Sequence, residues 1–130
     1  MSMVLVVDDD PSTRFVLRMI LETAGHLVTE AENGEAALAR MGPRPDVVMT
    51  DLMMPVLGGK ELIERLRSQP TTASIRIVVV SGSPAEARAL HAAGLIEAFV
   101  IKPFDAMDLL KCIGGVAGKL SAVGAEALAS

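Results

Sequence analysis

Short, unbroken apolar runs alternate along this chain with longer stretches in which apolar residues return every three or four positions. Val4-Leu5-Val6-Val7 is apolar throughout, the pattern of a strand in a parallel sheet covered on both faces. Asp10 offers an acceptor for a helix N-terminus, with Pro11 in its first turn. Val16, Leu17, Ile20, Leu21 and Ala24 then share one helical face, and Gly25 supplies the residue that ends it. His26–Ala31 reads as a second strand, Asn33-Gly34 as a turn, and Glu35–Met41 as a brief helix stopped by Gly42, Pro43 and Pro45. Val47–Met49 predicts the third strand, leading into Asp51. A helix over 59–68 follows, with Leu62, Ile63 and Leu66 inward, and the β-branched run Ile75–Val80 predicts the fourth strand. Pro84 opens an alanine-rich helix ending near Gly94, and Glu97–Ile101 is the fifth strand. The last helix is expected over Asp105–Leu120, with Ala106, Leu110, Ile113, Ala117 and Leu120 on one side. Gly114, Gly115 and Gly118 each lower helix propensity by roughly 1 kcal/mol relative to Ala, so this helix is expected to fray or end early.

Five βα units with short connections predict one α/β domain over residues 1–122, a doubly wound parallel sheet with helices on both faces, and a loose tail over 123–130. Composition agrees with a folded domain: 51% of the 130 residues are hydrophobic, and low-complexity runs are absent from the sequence. No apolar run approaches the ~18 residues of a membrane span, and the first residues lead straight into a strand without room for a signal peptide. Cys112 is the single cysteine, so no internal disulfide forms; its neighbours Leu110 and Ile113 mark it as a small apolar filler in a reducing compartment. A cytoplasmic location without membrane insertion is expected. A net charge of −4 and 2% aromatic content disfavour nucleic acid as a direct partner, because neither phosphate neutralisation nor base stacking is provided for.

In a doubly wound sheet the functional groups lie beyond the carboxyl ends of the strands. Strand one is followed by Asp8, Asp9 and Asp10, strand three by Asp51, strand four by Ser81, and strand five by Lys102 and Pro103. Clustered carboxylates resist ionising together unless a cation is present, and Mg²⁺ suits a site with few protein oxygens. A lysine and a hydroxyl add nothing to metal storage but suit an anion with several oxygens, such as a phosphoryl group. Metal, lysine and hydroxyl can share the charge of phosphoryl transfer, which leaves one carboxylate free as nucleophile. Asp10 reads as a helix cap rather than a third ligand. Met49, Met53 and Met54 read as packing residues, and His26 and His91, near glycines at helix ends, as C-terminal capping charges.

Val6-Val7-Asp8-Asp9-Asp10-Pro11, Asp51-Leu52-Met53-Met54-Pro55 with Gly59, Ser81-Gly82 and Lys102-Pro103-Phe104 resemble the signatures of response-regulator receiver domains of two-component signalling. The resemblance covers about residues 3–120, with every motif in the family's order. It implies a flavodoxin-like sheet of order 2-1-3-4-5. It also implies Asp51 as phosphoacceptor, Asp9 and Asp51 as direct Mg²⁺ ligands, Asp8 acting mainly through water, and the Met53 backbone carbonyl as a further ligand. Ser81 and Lys102 are implied to bind phosphoryl oxygens, a cis peptide is implied before Pro103, and Phe99 is implied as a switch aromatic that turns inward as Ser81 moves. The implied partners are a histidine kinase or phosphotransfer protein as donor and a downstream protein or attached output domain as receiver of the signal. Many relatives also dimerise on phosphorylation through the surface of helix four, strand five and helix five.

The chain departs from the family at Gly58, where a polar residue is more usual, at Gly94-Leu95-Ile96-Glu97-Ala98, where Gly-Ala-Asp is commoner, and at Phe99, where a tyrosine would carry a hydroxyl. The reading is a signalling switch that assists its own phosphorylation and dephosphorylation, not an enzyme in the ordinary sense. Two other readings remain. One is a pseudo-receiver that binds partners without phosphorylation, against which the retained Asp8, Asp9, Asp51, Ser81 and Lys102 speak. The other is a Mg²⁺-dependent aspartyl phosphatase. Its nucleophile would follow strand one with a second acid two residues on, beside a cap insertion that this chain lacks.

Overall fold

The computed structural model describes residues 2–117. Five parallel strands, β1 (Met3–Val7), β2 (Leu27–Ala31), β3 (Val47–Thr50), β4 (Arg76–Ser81) and β5 (Ala98–Ile101), form one sheet in the order β2-β1-β3-β4-β5. Between and after them run α1 (Pro11–Thr23), α2 (Gly34–Leu38), α3 (Gly59–Ser68), α4 (Pro84–Ala92) and α5 (Ala106–Ala117). Fold class and strand order are those expected.

Alternation along the strands divides the core into two layers. Leu5, Val7, Val48, Ile77, Val79 and Phe99 face a layer that includes Ala37 of α2, Leu62, Ile63 and Leu66 of α3, and Ala87 and Leu90 of α4. Val4, Val6, Met49, Val78, Val80 and Val100 face Leu17 and Leu21 of α1 and Leu109, Cys112, Ile113 and Val116 of α5. Both sheet faces are covered, which is why β1, β3, β4 and β5 carry no polar alternation, whereas the edge strand β2 carries Thr29 and Glu30. Cys112 is buried, and burial pushes its thiol up to about 11, so it is an inert filler.

Several expectations shift. The buried stripe of α1 is Leu17 and Leu21 with Ile20 partly covered, whereas Val16 and Ala24 are exposed. On α5 the inward residues are Leu109, Cys112, Ile113 and Val116; of the predicted stripe, Ile113 is inward, Leu110 is half-buried and Ala106 is exposed. The helix continues through Gly114 and Gly115, because packing of the flanking Ile113 and Val116 offsets their low propensity. Its predicted end at Leu120, Gly118 and the 123–130 tail lie outside the described residues. Helix α2 stops at Leu38 rather than Met41; Asn33 caps it by accepting the Ala36 N–H at 2.8 Å.

The unusual Gly94–Ala98 segment has a structural explanation. The Arg67 guanidinium, at the end of α3, donates to the carbonyls of Leu95, Ala73 and Ile75 and pairs with the Glu97 carboxylate at 2.9 Å. Glu97 in turn accepts the Ile77 N–H at 2.6 Å. Glu97 thus joins the start of β4 to the entry of β5, at the end of the sheet remote from the aspartates.

Candidate functional site

The parallel register brings the carboxyl ends of β1, β3, β4 and β5 to one edge, so the loops that follow them open on the same crevice. Asp8 leaves β1 fully buried, with its N–H donating to the Ala31 carbonyl of β2 at 3.1 Å. Its Oδ1 accepts the Asp10 N–H at 2.9 Å and its Oδ2 accepts from Lys102 Nζ at 3.1 Å. Asp9 is exposed. Asp10 caps α1 as expected, accepting from the Ser12 N–H and the Thr13 hydroxyl.

Asp51 extends β3, with its N–H on the Val7 carbonyl at 2.9 Å. Its Oδ1 accepts the Leu52 N–H at 2.7 Å and its Oδ2 stands 3.3 Å from Lys102 Nζ. Two neighbours fix its main chain. The fully buried Thr50 donates its hydroxyl to the Asp51 carbonyl at 2.7 Å. Gly59, opening α3, comes so close that a Cβ there would lie 2.1 Å from the same carbonyl oxygen. Gly59 is therefore glycine for lack of room, and it draws α3 against the strand end.

Lys102 reaches the crevice from the end of β5, anchored by its N–H on the Ser81 carbonyl at 2.9 Å. Pro103 follows across a cis peptide, as expected; Gly42-Pro43 is cis as well, which the sequence reading did not foresee. Burial alone would lower the Lys102 pKa, but the Asp8 and Asp51 carboxylates outweigh it and hold the ammonium above its ordinary value. Asp8 goes the other way from most paired acids: burial raises its pKa despite the Asp10 amide and Lys102.

Asp8, Asp9 and Asp51 each offer a carboxylate oxygen, and the three lie within 4.8 Å of one another. This spacing and all-oxygen donor set fit a small hard cation such as Mg²⁺, which would relieve the mutual repulsion of the carboxylates. Ser81 closes β4 fully buried and its hydroxyl accepts the Ser83 N–H at 3.1 Å. Phe99 is buried, and its ring meets that of His91 edge-on at 5.8 Å.

Two readings of individual residues need correcting. Met53 is not a packing residue; it is 70% exposed at the rim, while Met49 is buried and Met54 half-buried as expected. His26 is no capping cation. Its Nδ1 accepts the Ser2 N–H at 3.1 Å, a bond only the neutral ring can make, and burial lowers its pKa. His91 lies in the last turn of α4 as expected, and its ring also packs on Phe99. The sequence reading also passed over Arg14, which donates to the Asp8 carbonyl at 2.7 Å. The signal was there in Arg14 and Arg18, four residues apart on one face of α1, with Glu30 across from them.

Residues 4–114 match the family of the response regulator receiver domain. The protein PilH of Pseudomonas aeruginosa is 35% identical over 89% of this chain and 98% of its own length. The transcriptional regulatory protein ResD of Bacillus subtilis is 33% identical over 82% of this chain but only 44% of itself, so the domain also occurs within longer regulators. Among solved structures, the chemotaxis response regulator CheY4 of Vibrio cholerae superposes with a TM-score of 0.80 at 34% identity, over 89% of this chain and 98% of that one. With the strand order, the crevice and the sequence likeness in agreement, the chain belongs to the response regulator receiver domains of two-component signalling.

Proposed function

We propose that this domain accepts a phosphoryl group on Asp51, with Mg²⁺ held by Asp9, Asp51 and the Met53 carbonyl and by Asp8 mainly through water. The observation that carries this reading is the convergence of Lys102 Nζ on Asp8 and Asp51 beside the three-carboxylate cluster. Asp51 stands at the end of the central strand β3 beside the ammonium of Lys102. Its Oδ1 is occupied by the Leu52 N–H, while its Oδ2 points at the ammonium. In the transfer an Asp51 oxygen forms a bond to phosphorus as the bond from phosphorus to the donor's imidazole nitrogen breaks; with the other ring nitrogen protonated, the products are an acyl phosphate and a neutral histidine. Bound Mg²⁺ would supply positive charge to the phosphoryl oxygens. Lys102 would stay protonated and follow a phosphoryl oxygen, and the Ser81 hydroxyl would donate to another.

The donor fits a phosphohistidine on a kinase or phosphotransfer protein. Receiver domains interact with histidine kinases and output domains, and one relative of this chain is the sensor histidine kinase TmoS of Ectopseudomonas mendocina. Val16, Pro103 and Phe104 share a cleft of about 300 Å³ that also includes Lys102, and Phe15 and Met19 are exposed on the same helix as Val16. An apolar rim beside the carboxylates suits a helical partner. The readout would run through Ser81. Its hydroxyl holds the N–H of Ser83, the N-cap of α4, so moving it toward a phosphoryl oxygen would loosen the start of α4 and the packing of His91 on Phe99. The surface of α4, β5 and α5 would then engage a downstream protein, an output domain or a second copy.

Incubation with Mg²⁺ and acetyl phosphate tests the proposal. The expected result is a mass gain of one phosphoryl group, lost in Asp51→Asn and without Mg²⁺. No gain, together with failure to bind beryllofluoride, would favour a phosphorylation-independent interaction module instead.

A further inference from the structure

The crevice side chains come from strand ends, but the loop carrying two of them is also held from α1. Arg14, in the first turns of that helix, donates through Nη1 to the Asp8 carbonyl at 2.7 Å and through Nε to Glu30 Oε1 at 3.1 Å. Its side chain is only 18% exposed. Glu30, in β2, also accepts from Arg18, which donates onward to the Val28 carbonyl. Arg18 first, and Arg14 after it, hold the Glu30 carboxyl below its ordinary pKa, so the network keeps its charges.

The peptide that Arg14 grips joins Asp8 to Asp9. Asp8 is fixed independently by the Ala31 carbonyl, the Asp10 N–H and Lys102. Asp9 is exposed, and among the described residues no hydrogen bond holds its carboxylate. The direction in which Asp9 leaves the backbone is thus governed by the plane of the Asp8–Asp9 peptide, and the Arg14 guanidinium sits on the oxygen of that plane. We infer that Arg14, locked by Glu30, is a positioning residue that aims the Asp9 carboxylate at the cation position shared with Asp51. This rests on the Mg²⁺-dependent reading above. A purely structural clamp between α1 and β2 would predict lost stability alone; a positioning role predicts lost metal affinity in a folded protein.

The test is calorimetric titration of Mg²⁺ into the full chain for wild type, Arg14→Gln, Arg14→Lys and Glu30→Gln, with circular dichroism as the check on folding. Wild type is expected to bind. Arg14→Gln should weaken binding about tenfold or more, the usual size of an effect from a group that orients a ligand. Arg14→Lys should recover part of the loss, since one ammonium can reach the carbonyl without the second fork. In metal-free protein the Asp9 amide resonance should move in Arg14→Gln. Phosphorylation by acetyl phosphate should be restored by excess Mg²⁺, placing the defect in the Mg²⁺ requirement and not in the maximal rate. A folded Arg14→Gln with wild-type Mg²⁺ affinity would reduce Arg14 to a clamp and overturn the inference. Should Arg14→Gln not fold, Glu30→Gln, which removes the charge that locks Arg14, decides by the same criterion. Wild type failing to bind Mg²⁺ would sink the metal reading itself.

Discussion

Lys102 Nζ stands 3.3 Å from Asp51 Oδ2 although their strands are not neighbours; β4 lies between β3 and β5. The lysine spans that gap and also touches Asp8, so one ammonium offsets part of the charge of the acidic cluster. A divalent cation bound as proposed would therefore compete with this ammonium for the same two carboxylates.

Lys102→Met should accordingly have opposite effects on binding and on chemistry. Removing a positive charge a few ångströms from the cluster should tighten Mg²⁺ binding by about threefold to tenfold. Phosphorylation of Asp51 should slow by about 100-fold or more, since a donor to the transferring group is lost. Calorimetry and a timed mass assay measure the two. Parallel losses in both would contradict the proposed role.

Gly59 packs where a side chain cannot. The Cβ of Gly59→Ala would meet the backbone of Asp51 and Leu52 and not a flexible side chain, so the strand end or α3 must shift. We expect destabilisation of about 1–3 kcal/mol in urea unfolding, with slowed phosphorylation even at saturating Mg²⁺. Unchanged kinetics would mean that α3 yields without disturbing Asp51.

Val56 carries the opposite opportunity. It is a β-branched residue at φ 70°, 73% exposed, in a tight turn where the Leu57 N–H bonds the Pro55 carbonyl at 2.8 Å. A non-glycine residue in this region is strained by about 1–3 kcal/mol, while glycine costs about 0.4–1 kcal/mol through the unfolded chain. Val56→Gly should therefore stabilise the domain by about 1 kcal/mol, read as a higher urea midpoint with an unchanged slope.

His26 should make stability depend on pH in one direction. Burial lowers its pKa in the folded protein from the ordinary 6.5, so between the two values the unfolded chain binds more protons. The stabilising contribution is full above the unfolded value and is lost as the pH falls through the folded one. Unfolding followed from pH 7.5 to 5 should show a steeper decline for wild type than for His26→Gln, whose amide oxygen can still accept the Ser2 N–H. Parallel curves would show that the ring titrates alike in both states.

Much of this molecule was legible in its sequence, for a local reason. The strands β1, β3, β4 and β5, which supply the crevice, are short and mainly apolar because both their faces are covered, and Asp8, Asp9, Asp51, Ser81 and Lys102 end or follow them, so the sequence itself groups these five residues at one edge. Helix faces were read less well. The buried stripe of α1 is narrower than its apolar pattern, and that of α5 turns toward Leu109 and Val116, because adjacent apolar residues such as Val16 and Leu17, or Leu109 and Leu110, differ by about 100° around the axis and only the neighbouring sheet decides which is buried. Met53 and His26 were misread for the same reason, since exposure and a hydrogen-bond partner are properties of the surroundings. The grip of Arg14 on Asp8, the staple of Arg67 on the Gly94–Ala98 segment and the close approach of Gly59 to Asp51 all join groups separated in the chain. Sequence alone determined the sheet, its order through family likeness, and the cast of the crevice. Tertiary structure decided which atoms hold that cast in place, because such contacts depend on the packing of helices against the sheet and leave no periodic trace in the chain.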